Sequence, residues 1–141
     1  MARVELQLIN RQRRDAVPLA WLTRLTRCVV RRLGICEQGQ LTVTFIESRT
    51  MRVLNRRFAQ HEGLTDVLSF RYPGEPIVGE ILVAPAFARV YAKHHQVSYR
   101  QELARYVIHG LLHWVGHEDR TLQQQRRMRQ MEDRLLAQCA R

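Results

Sequence analysis

The stretch His109-Gly110-Leu111-Leu112-His113-Trp114-Val115-Gly116-His117-Glu118-Asp119 begins inside an apolar helical run that opens at Ser98 and continues past its end. Two histidines four residues apart on a helix are separated by about 6 Å of rise and lie within roughly 40° of each other around the axis, so the imidazoles of His109 and His113 can converge on one ion. A histidine eight residues on along the same unbroken helix would lie about 12 Å from the first, too far to share an ion whose bonds to nitrogen are about 2.0 to 2.1 Å. The helix must therefore end. Gly116 is placed to end it, because glycine takes the left-handed conformation after a helix without steric cost and lets the chain fold back over the last turn.

Two residues compete to be the third ligand: His117 directly after the glycine, and Asp119 three after it. The spacing favours Asp119. The zinc motif H-E-x-x-H-x-x-G-x-x-H of metzincin proteases is matched at His109, His113, Gly116 and, with aspartate for histidine, Asp119. The glutamate that serves those proteases as general base is Gly110 here, which disfavours peptide hydrolysis by that route. The plainer alternative is a helix with two core histidines, His117 complementing the dipole at its C-terminus.

At 141 residues, 45% of them hydrophobic, the chain is expected to be a single domain spanning 1–141 with a core of its own. Lys and Arg number 23 against 13 Asp and Glu, a formal charge of +10, and nearly all the cations are arginine. A polyanion is the natural partner, since arginine's planar fork binds phosphate bidentately and stacks on bases. Cys28, Cys36 and Cys139 are an odd number without a CxxC pair, and read as reduced thiols in a reducing compartment. No signal-peptide pattern opens the chain and no apolar run approaches membrane-spanning length, so a cytoplasmic protein with no membrane partner is expected.

In chain order, Val4 to Asn10 alternates as a half-buried strand. A first amphipathic helix starts with Pro18 as its first helical residue and is capped by Gly34; its outer face carries Arg24, Arg27 and Arg31. Leu41 to Ile46 reads as strand two, and Ser48 as the N-cap of a short, arginine-rich second helix. Ala59 to Leu64 reads as a loop, Asp66 to Phe70 as a strand, Tyr72 to Pro76 as a turn, and Gly79 to Ala84 as the next strand. Pro85 starts a third helix through Tyr91; Ser98 with Gln101, then Thr121 with Gln124, form capping-box patterns for the last two. The sum is an α+β domain with about four strands and about five helices, the metal site at the end of a central helix.

With that stretch, the Leu54-Asn55 pair, Thr65-Asp66-Val67-Leu68-Ser69-Phe70 and Gly79-Glu80-Ile81 in hand, the chain resembles the YbeY family of bacterial rRNA maturation factors over nearly all its length. Members of that family carry an LN…YR…D.PTDVLSFP block, an LGDI strand and an HGxLHLxGYDH motif in this order. The resemblance implies a mixed sheet of about four strands with the metal helix along one face. It also implies a zinc-dependent, single-strand-specific endoribonuclease, with one Zn2+ per chain, acting in small-subunit rRNA 3′-end maturation and ribosome quality control. RNA of the small ribosomal subunit and ribosome-associated proteins are the implied partners. The family's metal histidines fall on His109 and His113, and its third on Asp119 rather than His117.

The family's arginine after the aromatic of the first block is Ala59 here, after Phe58; Leu64 replaces the block's proline and Arg71 the proline after SF. Arg57 or Arg71 is then the neighbouring cation available to the phosphodiester, and Asp66 the acid that could shape the site. Two rivals remain. One is a non-catalytic rRNA-binding assembly factor with a structural zinc, favoured by Ala59; the other is a small metalloprotease, favoured by the metzincin-like spacing alone.

Overall fold

The computed structural model describes residues 4–58, 66–74 and 76–140. Among them the chain forms β1 (Val4–Asn10), α1 (Leu19–Arg32), β2 (Gly39–Phe45), α2 (Ser48–Phe58), β3 (Val67–Arg71), β4 (Ile77–Val83), α3 (Pro85–His95), α4 (Tyr99–Trp114) and α5 (Leu122–Cys139). The strands make one mixed sheet in the order β1-β2-β4-β3, with β1, β2 and β4 parallel and β3 antiparallel to β4. This is the expected α+β arrangement of four strands and five helices.

Strand periodicity divides the apolar side chains between two faces. Leu41, Val43 and Phe45 of β2, with Ile81 and Val83 of β4, meet Leu22, Leu25 and Val29 of α1 and Leu103, Val107 and Leu111 of α4 in the main core. Leu68, Phe70 and Leu82 turn to the other face, where Met51 and Leu54 of α2 and Phe87 of α3 cover them. Helix α4 is thus the central helix, with Leu103, Val107, Ile108, Leu111 and Leu112 all fully buried.

The seat of α4 on the sheet is unusually close at two glycines. A Cβ on Gly110 would lie 2.5 Å from Ile81 Cγ2 and 3.0 Å from Val67 Cγ1, and one on Gly79 would lie 2.2 Å from Trp114 Nε1. Helix and strand advance in step: four residues of helix rise about 6 Å and two residues of strand about 6.6 Å. Gly110 and Trp114 therefore face Ser69 and Arg71 in turn, and Tyr106, one helical turn earlier, meets Asp66 just before β3 begins. Tyr106 donates its hydroxyl to Asp66 Oδ2 at 2.8 Å, Ser69 donates Oγ to the Gly110 carbonyl at 3.0 Å, and Arg71 donates to the Trp114 carbonyl at 2.8 Å.

Several local expectations are corrected. Pro18 is the N-cap of α1, not its first helical residue. Ser48 lies inside α2, because the Glu47 carbonyl accepts the Met51 amide and makes Glu47 the cap. Helix α3 runs on from Tyr91 to His95, its last turn solvated and polar, and stops where Gln96 turns left-handed at φ 54°. Strands β2 and β4 each begin two residues early, where Gln40 pairs with Ile77. Cys28 and Cys139 are joined in a disulfide with Cα atoms 5.6 Å apart, and Cys36 alone is a free, exposed thiol among the described residues. The reduced-thiol reading fails because α1 and α5 pack together across 111 residues of sequence, which no local spacing reveals. No described helix is long and apolar enough to cross a membrane. The Ala59–Leu64 loop, with the positions Ala59 and Leu64 and the neighbouring Thr65, lies outside the described residues, as does Glu75 of the expected turn.

Gly110→Ala tests the close seat. Its helix-propensity gain of about 1 kcal/mol opposes an overpacking cost of about 1–3 kcal/mol, so a net loss on the order of 1 kcal/mol is expected in urea unfolding. A stabilised variant would mean that α4 has room to lift from the sheet.

Candidate metal centre

The end of α4 builds the site. Val115 caps the helix and Gly116 adopts φ 108°. The Gly116 amide then donates to the His113 carbonyl at 3.0 Å and the His117 amide to the Leu112 carbonyl at 2.9 Å, the paired bonds of a Schellman turn. The chain reverses over the last turn and brings Asp119 back to the histidines. Asp119 Oδ2 lies 3.4 Å from His109 Nε2 and 3.4 Å from His113 Nε2, and the two nitrogens are 3.0 Å apart. The loop is held from the next helix. Gln125 donates its side-chain amide to the Asp119 carbonyl at 3.2 Å, and Thr121 with Gln124 closes a full capping box at the start of α5.

Among the described residues, His109, His113 and Asp119 form the group that could hold a metal ion. The donor set fits one. Ligands about 2.0 to 2.1 Å from a tetrahedral ion stand roughly 3.3 Å from one another, close to the spacings found. Their side chains are 27%, 30% and 32% exposed, so one side of the group is open to a further ligand. His117 lines the same cleft without joining the group.

The cleft has a volume of about 900 Å³, and its wall includes Asp66, Arg71, Arg105, Arg120 and Arg129 besides the three donors. Of the residues proposed from sequence, Asp66 and Arg71 reach it, and Arg57 does not line it. Arg71 is already committed: besides its bond to the Trp114 carbonyl it pairs with Glu37 and stacks 4.3 Å from the Trp114 ring centre. It braces the C-terminal end of α4, where a cation also complements the helix dipole.

Sequence reading missed Glu132, a buried carboxylate on α5 whose Oε2 lies 2.6 Å from His109 Nδ1. Its Oε1 lies 3.1 Å from Arg105, which also bonds Asp133 at 2.7 Å. A faint signal existed, since Glu132 falls between Met128 and Leu135 on the stripe that α5 buries. A carboxylate there needs a partner.

The environment of the cleft shifts its ionisable groups. Burial pushes the Asp66 carboxyl above the usual carboxylate range, opposed by the Tyr106 hydroxyl and by His109. Burial likewise raises Glu102, against Arg105, and raises Tyr106, helped by Asp66. For Arg105 burial acts downward, but the bonds to Asp133 and Glu132 outweigh it and hold the guanidinium above its ordinary value.

An α+β domain whose central helix ends in a His-His-Asp group that could hold a metal ion, inside an arginine-bearing cleft, defines the class to which this chain belongs by fold and site. The chain belongs to the YbeY family: the family model described as Endoribonuclease YbeY matches residues 7–140. Relatives named Endoribonuclease YbeY include one from Rhodopirellula baltica, 37% identical over 69% of this chain and 52% of its own length. Another, from Myxococcus xanthus, is 31% identical over 94% of this chain and 47% of its own. The chain thus spans about half the length of these two. The relative from Chlorobium phaeovibrioides is 35% identical over 93% of this chain and 88% of its own. The fold is shared with TM1509 from Thermotoga maritima, known from its solution structure, at a TM-score of 0.61 and 21% identity over 95% of this chain and 91% of that one.

The raised Asp66 predicts a pH signature. A carboxyl held above its unfolded value contributes stability that is fully present below that value, near 3.8, and is lost as pH rises through the folded-state value. In urea unfolding of metal-free protein, the stability of wild type relative to Asp66→Asn is expected to fall from acid toward neutral pH. Parallel curves would show that Asp66 titrates as in water.

Proposed function

We propose that this chain is a zinc-dependent, single-strand-specific endoribonuclease that matures the 3′ end of small-subunit rRNA and serves ribosome quality control in the cytoplasm. The observation that carries this reading is the convergence of His109 Nε2, His113 Nε2 and Asp119 Oδ2 in an open, arginine-bearing cleft, in a chain of the YbeY family. His109, His113 and Asp119 would hold the ion. When bound, zinc supplies Lewis-acid polarisation of a phosphodiester and lowers the pKa of water toward neutrality.

The remaining residues bind and position. Arg120 and Arg129 line the cleft beside the donors and are assigned to the RNA backbone phosphates, the task for which Arg57 and Arg71 were the sequence candidates. Asp66 keeps its place as the acid of the cleft wall, oriented by Tyr106. A protease reading is disfavoured further by Gly110. The position where metzincins carry their general base faces Ile81 and Val67 on the sheet, not the cleft, with no space for a larger side chain. The assembly-factor reading predicts the same metal and RNA affinity without cleavage.

Cleavage of single-stranded against duplex RNA, with chelation and zinc add-back, separates these readings. Cutting of the single strand that chelator abolishes and zinc restores is expected; metal-loaded protein that binds RNA and leaves it intact would favour the assembly factor. Metal analysis should find about one zinc per chain, lost in Asp119→Ala, largely kept in His117→Ala and retained in Asp119→His, because histidine is an ordinary zinc ligand. Full zinc in Asp119→Ala with none in His117→Ala would transfer the third place to His117.

A further inference from the structure

The buried carboxylate on α5 does more than join two helices. Glu132 is 4% exposed, and each of its oxygens has one partner: Oε1 the Arg105 guanidinium at 3.1 Å, Oε2 the Nδ1 of His109 at 2.6 Å. A carboxylate accepts, so a neutral His109 donates from Nδ1, and its Nε2 keeps a lone pair. That nitrogen is the one facing Asp119 Oδ2 and His113 Nε2. A clamp between α4 and α5 would be complete with Arg105 alone, which reaches Asp133 at 2.7 Å and Glu102 at 3.7 Å as well as Glu132. The second oxygen of Glu132 is used on a ring whose other nitrogen belongs to the donor group.

We propose that Glu132 is a positioning residue for the metal centre: it fixes the tautomer and the ring orientation of His109, while Arg105 holds Glu132 in place. Helix α5 then sets two of the three donors, His109 through Glu132 and Asp119 through the Gln125 side chain. Carboxylates that accept from the far nitrogen of a ligating histidine orient the ring and make it more basic, and losing one typically weakens metal binding 10–100-fold. This inference rests on the reading of His109, His113 and Asp119 as zinc ligands.

The test compares full-length wild type, Glu132→Ala, Glu132→Gln and Asp133→Ala. Zinc affinity is measured by competition with a chelating dye, and the His109 tautomer by nitrogen-15 NMR of the metal-free proteins. Glu132→Ala is expected to bind zinc about 10–100-fold more weakly, with His109 no longer held in the Nδ1-protonated form. Asp133→Ala, which removes another anchor of Arg105 and leaves His109 untouched, is expected to match wild type. Glu132→Gln keeps the side-chain volume should the alanine variant fail to fold, and is expected to lose about tenfold in affinity. Wild-type affinity in the Glu132 variants, or an equal loss in Asp133→Ala, overturns the inference while leaving the zinc reading intact. Wild-type protein that takes no zinc overturns both.

Discussion

Two ligands four residues apart on a helix cannot be completed by a third from the same helix, and the chain must therefore reverse within a few residues of the second. The Schellman turn at Gly116 meets that constraint, and the surrounding structure keeps the turn in place. Helix α4 is anchored on the sheet through Gly110 and Trp114, so the rise that separates His109 from His113 is set against a rigid surface. Arg71 ties the Trp114 carbonyl at the end of α4 to β3, and the capping box of α5 limits the loop that carries Asp119 to a short span. A helix that lifted or frayed by one turn would separate the donors.

Legibility followed the range of the interactions. His109, His113 and Gly116 could be read because helical spacing and glycine's left-handed preference are local properties. The capping box at Thr121 and the alternation in β1 are local too, and both are found where the residues place them. Glu132 could not be read as part of the site, because its contact with His109 joins helices whose packing is a tertiary matter; what sequence carried was a lone carboxylate on an apolar stripe. The Cys28–Cys139 pair was hidden in the same way, by 111 residues. Arg71, a candidate cation for the phosphodiester by sequence, also lies on Trp114, and nothing local predicts that strand β3 runs beside the end of α4 to place it there. Gly110 was noticed as a missing glutamate. Its reason, the approach of the helix backbone to Ile81, emerges only from the packed sheet.

The cleft also explains how so much charge is tolerated beside a core. Glu102, Glu132, Arg105 and Asp133 form one connected set between α4 and α5, and a buried carboxylate paired in this way avoids the large cost of an isolated buried charge. The set adds little net stability by itself, since desolvation opposes the Coulombic gain. What it contributes is geometry, since α5 brings its carboxylate to His109 and its Gln125 to the Asp119 loop. The described arginines outside this set are exposed and carry most of the excess of +10.

The most direct measurement is a zinc-edge anomalous difference map from crystals of the zinc-loaded protein. One peak per chain is predicted, about 2.0 to 2.2 Å from His109 Nε2, His113 Nε2 and the Asp119 carboxylate, with a fourth position not taken by protein. A peak bound by His117 in place of Asp119, or ordered density for all three side chains with no peak among them, would contradict the account.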